Sequence, residues 1–430
     1  MHTNVGWAKV EFPIPPGTQL AGYEGGPPRP ASGTHDPLYV RALTLEQCGR
    51  RVCIATCDVV AVDARLTQRA ARLAREKWGV DDFFFAATHG HSGPAGLFEE
   101  DDTLGALVTF IVGKPDRALI DSLESCVLQA VGVSVQNERP ATLRAGTVKS
   151  PGIGTDRNDP ARPGDEFLSL LQFETDIGEQ AIVYSTACHP TVLHADNTLV
   201  SADFPGATAR ILETGPVSMA IFLNGSAGDV STRFTRKGVG FDEVERLGAL
   251  LAEQVRGALN VLPSSQAEFA IETSVLDTRL AVRMAESPPE AAQTLDRLKT
   301  EYAAAKTRGI DEGELRVLEA RCEGALLGLI YSQNQPQVEY LSVGVRFLRV
   351  GPLELAFFPF ELFSALSNPL RRDMPGVVPV SYANGYYGYL PDAAIEHTDN
   401  YEKHTTVFAY GQGEQLMAAV TRHIKENDDG

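Results

Sequence analysis

Thr88-His89-Gly90-His91-Ser92-Gly93-Pro94-Ala95-Gly96 follows directly on the apolar run Phe83-Phe84-Phe85-Ala86-Ala87, and the reading of this stretch decides the fold. Apolar residues cut off by Gly, Ser and Pro read as a buried strand that runs into a loop. In extended chain, residues i and i+2 point the same way, so His89 and His91 face one cleft at the strand's end. Two imidazoles there suit a metal, or one ligand beside an acid–base or oxyanion donor. H-x-H alone does not separate this from two capping histidines in an ordinary loop, so the rest of the chain has to decide.

The same logic recurs downstream. The strand over 180–187 runs into Ala187-Cys188-His189-Pro190-Thr191, and Ser218–Leu223 runs into Asn224-Gly225-Ser226-Ala227-Gly228-Asp229-Val230-Ser231. The run Leu355-Ala356-Phe357-Phe358 ends in Pro359-Phe360-Glu361. Four strand ends thus carry His89/His91, His189, Ser231 and Glu361, and ligands bind where strand ends converge. Two histidines and a carboxylate form a hydrolytic zinc set that leaves a position for water. Zinc lowers the pKa of its water toward about 7 and polarises a carbonyl, which suits amide or ester hydrolysis. The other carbonyl chemistry these residues allow is a Ser231 nucleophile with histidine as base.

Around these ends, patterning predicts strands over 5–12, 39–46, 51–60, 167–174, 342–350 and 353–358. It predicts helices over 63–78 with Asp63 as cap, 116–131, 241–260 and 412–426, and one opening at Ser201–Gly206 with Asp203 as cap. Residues 288–331 read as a helical hairpin broken at Arg308-Gly309-Ile310, a structural excursion or partner surface that could pair with a copy of itself. The fold class is α/β of mixed α+β type: mixed β-sheets flanked by helices, in a single domain over 1–430. Residues 97–115 read as a lid or groove wall. The irregular stretch 151–165 carries Arg157 and Arg162, as a ligand clamp or as surface salt bridges, with spacing favouring the latter. His35, before Asp36-Pro37, reads as a turn device. Tyr386, Tyr387 and Tyr389 form an aromatic loop whose default role is core or interface.

A chain of 430 residues that is 43% hydrophobic has material for a sizeable core. The net charge of −18 argues against nucleic acid and anionic membrane as partners. Six cysteines without a C-x-x-C pair read as reduced core residues. No apolar run approaches about 18 residues, so no integral membrane segment is expected. The N-terminus shows no basic region followed by an apolar stretch, so a cytoplasmic location is expected. The oligomeric state is open.

The run THGHSGPAG, the histidine of CHPT, the block GDVS and the Pro-x-Glu after an apolar strand together resemble the neutral/alkaline, non-lysosomal ceramidase family, in the family's order and over roughly residues 4 to 420. Val5-Gly6-Trp7-Ala8-Lys9-Val10 and His35-Asp36-Pro37-Leu38 resemble it too. The resemblance implies one Zn2+ held by His89, His189, Glu361 and a tyrosine, either Tyr386 or Tyr389. It implies His91 and Arg157 on the substrate carbonyl or its oxyanion, and Ser231 as nucleophile or anchor. The family's serine motif continues as S-P-N where this chain has Thr232-Arg233, and its P-G-E has Gly where this chain has Phe360. The chain ends soon after the tyrosine loop, so the resemblance covers the catalytic domain without the C-terminal immunoglobulin-like domain. The expected protein is a zinc-dependent amidohydrolase of linear amides, its substrate an N-acyl lipid or other N-acyl amine, in lipid or sphingolipid metabolism. A metal-independent serine esterase and a non-catalytic lipid- or glycan-binding relative are the alternatives.

Overall fold

Eight strands form one mixed sheet in the order Val217–Asn224, Gln180–Thr186, Phe167–Thr175, Arg139–Lys149, Thr3–Phe12, Leu38–Gln47, Arg50–Cys57, Asp82–Ala87. The computed structural model describes residues 3–23, 28–99, 112–162 and 164–428. The outermost pair on each side is parallel and the inner pairs are antiparallel.

Both faces of this sheet are covered, which explains why its strands read as continuous apolar runs. In Asp82–Ala87, Phe84 and Ala86 point into an inner core, while Phe83, Phe85 and Ala87 pack under helices. The inner core is completed by a second, four-stranded sheet of Ile271–Ala281, Tyr340–Val350, Leu353–Phe357 and Val377–Val380, which contributes Leu348, Leu355, Phe357 and Val378. On the outer face, helices Ala64–Trp78 and Arg117–Gln136 cover one half, and Asp203–Leu212 and Phe241–Val261 cover the other. Asp63 caps the first helix by accepting from the backbone N–H groups of Arg65 and Leu66, and Gly79 ends it at φ +64°.

The sheet curls until the ends of its two outermost strands meet. The segment Ser381–Asn384 links them. Ser381 N–H donates to the Asn224 carbonyl, Ala87 N–H donates to the Tyr382 carbonyl, and Asn384 exchanges bonds with Phe85.

Two sequence readings need correction. Asp203 is the first helical residue rather than the cap. It sits at φ +52°, and its carboxylate accepts from Val192, Leu193 and Phe204 N–H, so it pins the loop after His189. Helix Arg117–Gln136 has the length and apolar composition that a membrane-crossing helix needs, which a core helix can share. Here it packs on strands Thr3–Phe12 and Leu38–Gln47. The hairpin forms as helices Pro288–Arg308 and Glu312–Gln333 around Gly309 at φ +66°, but it is no mere excursion, because its second helix walls the cleft described below. The lid or groove wall read into 97–115 lies largely outside the described residues. Cys53 and Cys57 are buried as expected, and the described residues form no disulfide.

Candidate metal centre

His89, His91 and His189 converge: one ring nitrogen from each lies within 4.8 Å of the others. Each imidazole is oriented by a backbone carbonyl at its other nitrogen. His89 Nδ1 is 2.6 Å from the Val60 oxygen, His91 Nδ1 2.8 Å from Gly22 and His189 Nδ1 2.5 Å from Ala227. A carbonyl accepts only, so Nδ1 carries the proton and Nε2 presents a lone pair inward. His89 also holds φ +71°, a left-handed backbone conformation that costs a non-glycine residue, and its ring stacks on Tyr382 at 3.9 Å.

Glu361 enters from the second sheet. The bridge Glu361–Leu362 pairs in parallel with Tyr389–Leu390, Glu361 opposite Tyr389. Its Oε2 lies 3.0 Å from His189 Nε2 and 3.3 Å from His89 Nε2, while Oε1 accepts from the Tyr386 hydroxyl at 2.5 Å. Burial pulls the Glu361 carboxyl upward, but the two histidines outweigh it and hold it well below the usual carboxylate range. Burial, followed by the Arg157 charge, pushes His189 down to about 4. With each Nδ1 facing a backbone carbonyl, the Nε2 atoms of His89 and His189 are turned toward the Glu361 carboxylate at 3.3 and 3.0 Å. Acceptors crowded in that way fit a cation.

Asn224 holds the loops of this centre in place. Its side-chain amide donates to the carbonyls of Thr88 and Cys188, and its oxygen accepts from Cys188 N–H. The two histidine loops are thereby locked to each other. Gly228 approaches so closely that a Cβ there would stand 2.5 Å from the Glu361 carbonyl oxygen.

Arg157 is buried beside the centre. Its Nε donates to Glu402 at 2.6 Å, its Nη1 lies 3.1 Å from His189 Nε2, and its Nη2 is buried with no hydrogen-bond partner among the described residues. The guanidinium lies over the rings of Tyr389 and Tyr401. The surface salt-bridge reading therefore fails for Arg157 and holds for Arg162, which pairs with Asp159 at 3.5 Å in the open. Ser231 lies beside His189 through an isolated parallel bridge, and its Oγ accepts from Arg233 N–H at 3.3 Å. Among the described residues no histidine nitrogen bonds Ser231 Oγ, so the serine–histidine pair of an esterase is not assembled. Tyr387 turns away and donates to the Ser342 carbonyl, and His35 stacks on Phe241 outside the centre.

A cleft of about 80 Å³ bordered by His91, Arg157, His189, Ser231, Tyr389 and Tyr401 opens beside the centre. It adjoins a wider vestibule of about 640 Å³ that shares Tyr23, His194, Arg233, Arg236, Arg316 and Glu323 with it. Arg316 comes from the second helix of the hairpin. Sequence reading missed Asn224 as the fastener, Glu402 and Asn158 around Arg157, Tyr401, and the arginines of the vestibule. Of these, only Arg233 carried a signal, as the departure from the serine motif.

The chain is similar to curated neutral ceramidases. It is 26% identical to neutral ceramidase 2 of Arabidopsis thaliana over 226 residues, 47% of this chain and 28% of that protein. To the neutral ceramidase of Oryza sativa subsp. japonica it is 24% identical over 44% of this chain and 26% of that protein. The matched part thus spans little more than a quarter of these relatives. No family profile matches the chain. Two solved structures superpose over 99% of it. One is a ceramidase complexed with C2, at TM-score 0.75 and 16% identity over 76% of that chain. The other is the neutral ceramidase of Pseudomonas aeruginosa, at TM-score 0.75 and 19% identity over 75% of that chain. The chain thus shares its fold with the two ceramidase structures and is similar in sequence to neutral ceramidases over less than half of its length.

Proposed function

We propose that the chain is a zinc-dependent hydrolase of an N-acyl amine, with ceramide-type lipids as the reference substrate. The observation that carries this reading is the acceptor-only cluster of His89 Nε2, His189 Nε2 and Glu361 Oε2 at the edge of a cleft. Tyr389 completes the ligand set better than Tyr386. The Tyr386 hydroxyl is spent on Glu361 Oε1, whereas Tyr389 borders the cleft with the Arg157 guanidinium over its ring; burial holds the Tyr389 hydroxyl well above its ordinary range, and the Arg157 charge offsets only part of that. When bound, zinc supplies Lewis-acid polarisation of the amide carbonyl and acidifies a water toward a pKa of about 7.

The protein's own groups do the rest. Arg157 Nη2 is a buried donor with no acceptor among the described residues, placed to bind the carbonyl oxygen as it gains charge. Of the three histidines, His91 is the one that is less than fully buried and borders the cleft together with His189, so it contacts substrate on the open side. Its Nε2 lies 3.3 Å from His89 Nε2. Ser231, without a base, anchors the substrate by hydrogen bonding.

Elemental analysis of the purified protein, with hydrolysis of N-acyl amines before and after chelation, tests the reading. About one zinc per chain and activity restored by zinc support it; turnover indifferent to chelator and metal overturns it. His91→Ala separates its two roles: metal retained with activity lost marks a substrate contact, and metal lost marks a ligand.

A further inference from the structure

Four arginines line the cleft, against the two glutamates Glu323 and Glu402, in a chain whose net charge is −18. Arg233, Arg236 and Arg316 line both the cleft and the vestibule, with Arg157 at the inner end. Two of these cations are answered within the protein: Arg157 by Glu402, and Arg316 by Glu323 at 3.0 Å and Glu319 at 3.3 Å. The other two are not. Among the described residues no carboxylate lies within ion-pair distance of Arg233 or Arg236. Arg233 Nη1 donates to the Arg157 carbonyl and Arg236 Nη1 to the Thr191 carbonyl, and the remaining guanidinium donors of both take no protein acceptor. Glu312 and Asp203 act on Arg236 only at a distance.

Gathering guanidinium groups is unfavourable unless something of opposite charge joins them. Arg233 feels this directly: burial, then the charges of Arg316 and Arg157, push its pKa down to about 9. Solubility does not explain the cluster, since the surface is already strongly anionic. Guanidinium is the group suited to planar, bidentate recognition of carboxylate, sulfonate or phosphate. Arg233 also stands two residues after Ser231, inside the motif where this chain departs from the family it resembles.

We propose that the molecule cleaved at this site carries an anionic group, which binds between Arg233 and Arg236 at the junction of cleft and vestibule. This names the substrate class for the hydrolase reading and rests on it: an N-acyl amine with a carboxylate, sulfonate or phosphate, rather than a neutral lipid amide. The narrow inner cleft then holds the scissile amide, and the vestibule, whose lining also carries Asp196 and Glu312, admits the rest of the molecule.

The test compares kcat/KM for N-octanoyl derivatives of glycine, taurine, phosphoethanolamine and ethanolamine. A charge-assisted contact is worth about 1.5–3 kcal/mol, so at least one anionic amide is expected to exceed the neutral one by at least about tenfold. The anionic head group that wins identifies the anion. In Arg233→Gln/Arg236→Gln that ratio falls toward unity, and Arg233→Lys, which keeps the charge, retains part of it. Equilibrium binding of uncleavable ketone isosteres, one with the carboxylate and one with a hydroxyl in its place, supplies the readout without turnover. Tighter binding of the charged isostere, lost in the double variant, sustains the anion site even if no amide is cleaved, in which case only the hydrolase reading falls. Equal binding of the two isosteres, or preferred turnover of the ethanolamide, overturns the anion site and leaves the hydrolase reading standing. If the double variant does not fold, Arg236→Gln at the less crowded position gives the same comparison.

Discussion

His189 Nε2 and Glu361 Oε2 stand 3.0 Å apart although 172 residues separate them in the chain, and neither has a proton to share once His189 Nδ1–H is committed to the Ala227 carbonyl. A cation resolves that contact. Glu361→Gln keeps the shape and the bond to Tyr386 but removes the charge. Removing a group behind a ligand typically weakens metal binding about 10- to 100-fold, so losing the carboxylate itself is expected to weaken it by at least about 100-fold. Metal per chain after dialysis reads the result; unchanged stoichiometry would take Glu361 out of the centre.

Gly22 lies against the ring of His91. A Cβ there would meet His91 Nδ1 at 2.4 Å, at a φ of +94° that penalises any side chain. Gly22→Ala is therefore expected to displace His91 while sparing His89, His189 and Glu361. The signature is retained metal with kcat/KM lowered by about tenfold or more. Wild-type kinetics in this variant would show that His91 is not a substrate contact.

Asn224→Ala removes three buried hydrogen bonds and strands the Cys188 N–H and the carbonyls of Thr88 and Cys188. Each buried unsatisfied group costs about 1–3 kcal/mol, and partial relaxation makes a total of roughly 2–5 kcal/mol the expected loss. Urea unfolding of the variant measures it. A change below about 0.5 kcal/mol, the range of ordinary surface substitutions, would show that Asn224 does not fasten the two loops.

His404 is buried, and its Nε2 has no hydrogen-bond partner among the described residues. Burial, then the charge of Lys403, lowers its pKa to about 4. An unfolded histidine titrates near 6.5, so below that pH the unfolded chain takes up a proton that the folded chain refuses. This contribution to stability is complete above pH 6.5 and is lost as pH falls from about 6.5 to about 4, by up to roughly 3 kcal/mol. Replacing it by Gln should flatten the stability–pH curve in that window; an unchanged slope would assign the acid sensitivity elsewhere.

Ser231→Ala tests the anchor against the nucleophile. With no histidine bonded to Oγ among the described residues, the expected loss in kcat/KM is about tenfold, the worth of one hydrogen bond, with metal content unchanged. A loss beyond about 10⁴ would restore covalent chemistry at Ser231.

The strand ends were legible because their strands are buried on both faces and stop at Gly or Pro. Phe83–Ala87 and its successor loop, the strand before His189 and the run before Glu361 all announce themselves this way. Arg139–Lys149 escaped reading because it begins Arg139-Pro140 and mixes Arg144, Gly146 and Lys149 into its alternation. Helix Ser364–Asp373 was hidden by Pro369 within it. Asp203 looked like a cap because Ser-Ala-Asp before an apolar run is a capping pattern, yet its carboxylate serves a loop ten residues earlier. Arg157 could not be told from Arg162 by spacing, since only Glu402, 245 residues on, distinguishes the buried one. The vestibule was invisible for a similar reason: its arginines come from a loop and a hairpin helix that meet only in three dimensions.

One consequence of the curled sheet reaches beyond chemistry. Where the ends of the two outer strands meet, the backbone groups of the rim are taken up by Ser381–Asn384, and another chain cannot add itself there. Here the joint is short: Asn224, Ser381 and the bonds of Asn384 to Phe85. A defect at Asn224 would therefore open the rim as well as the reaction centre, so solubility and turnover fail together and self-association is the form that failure takes.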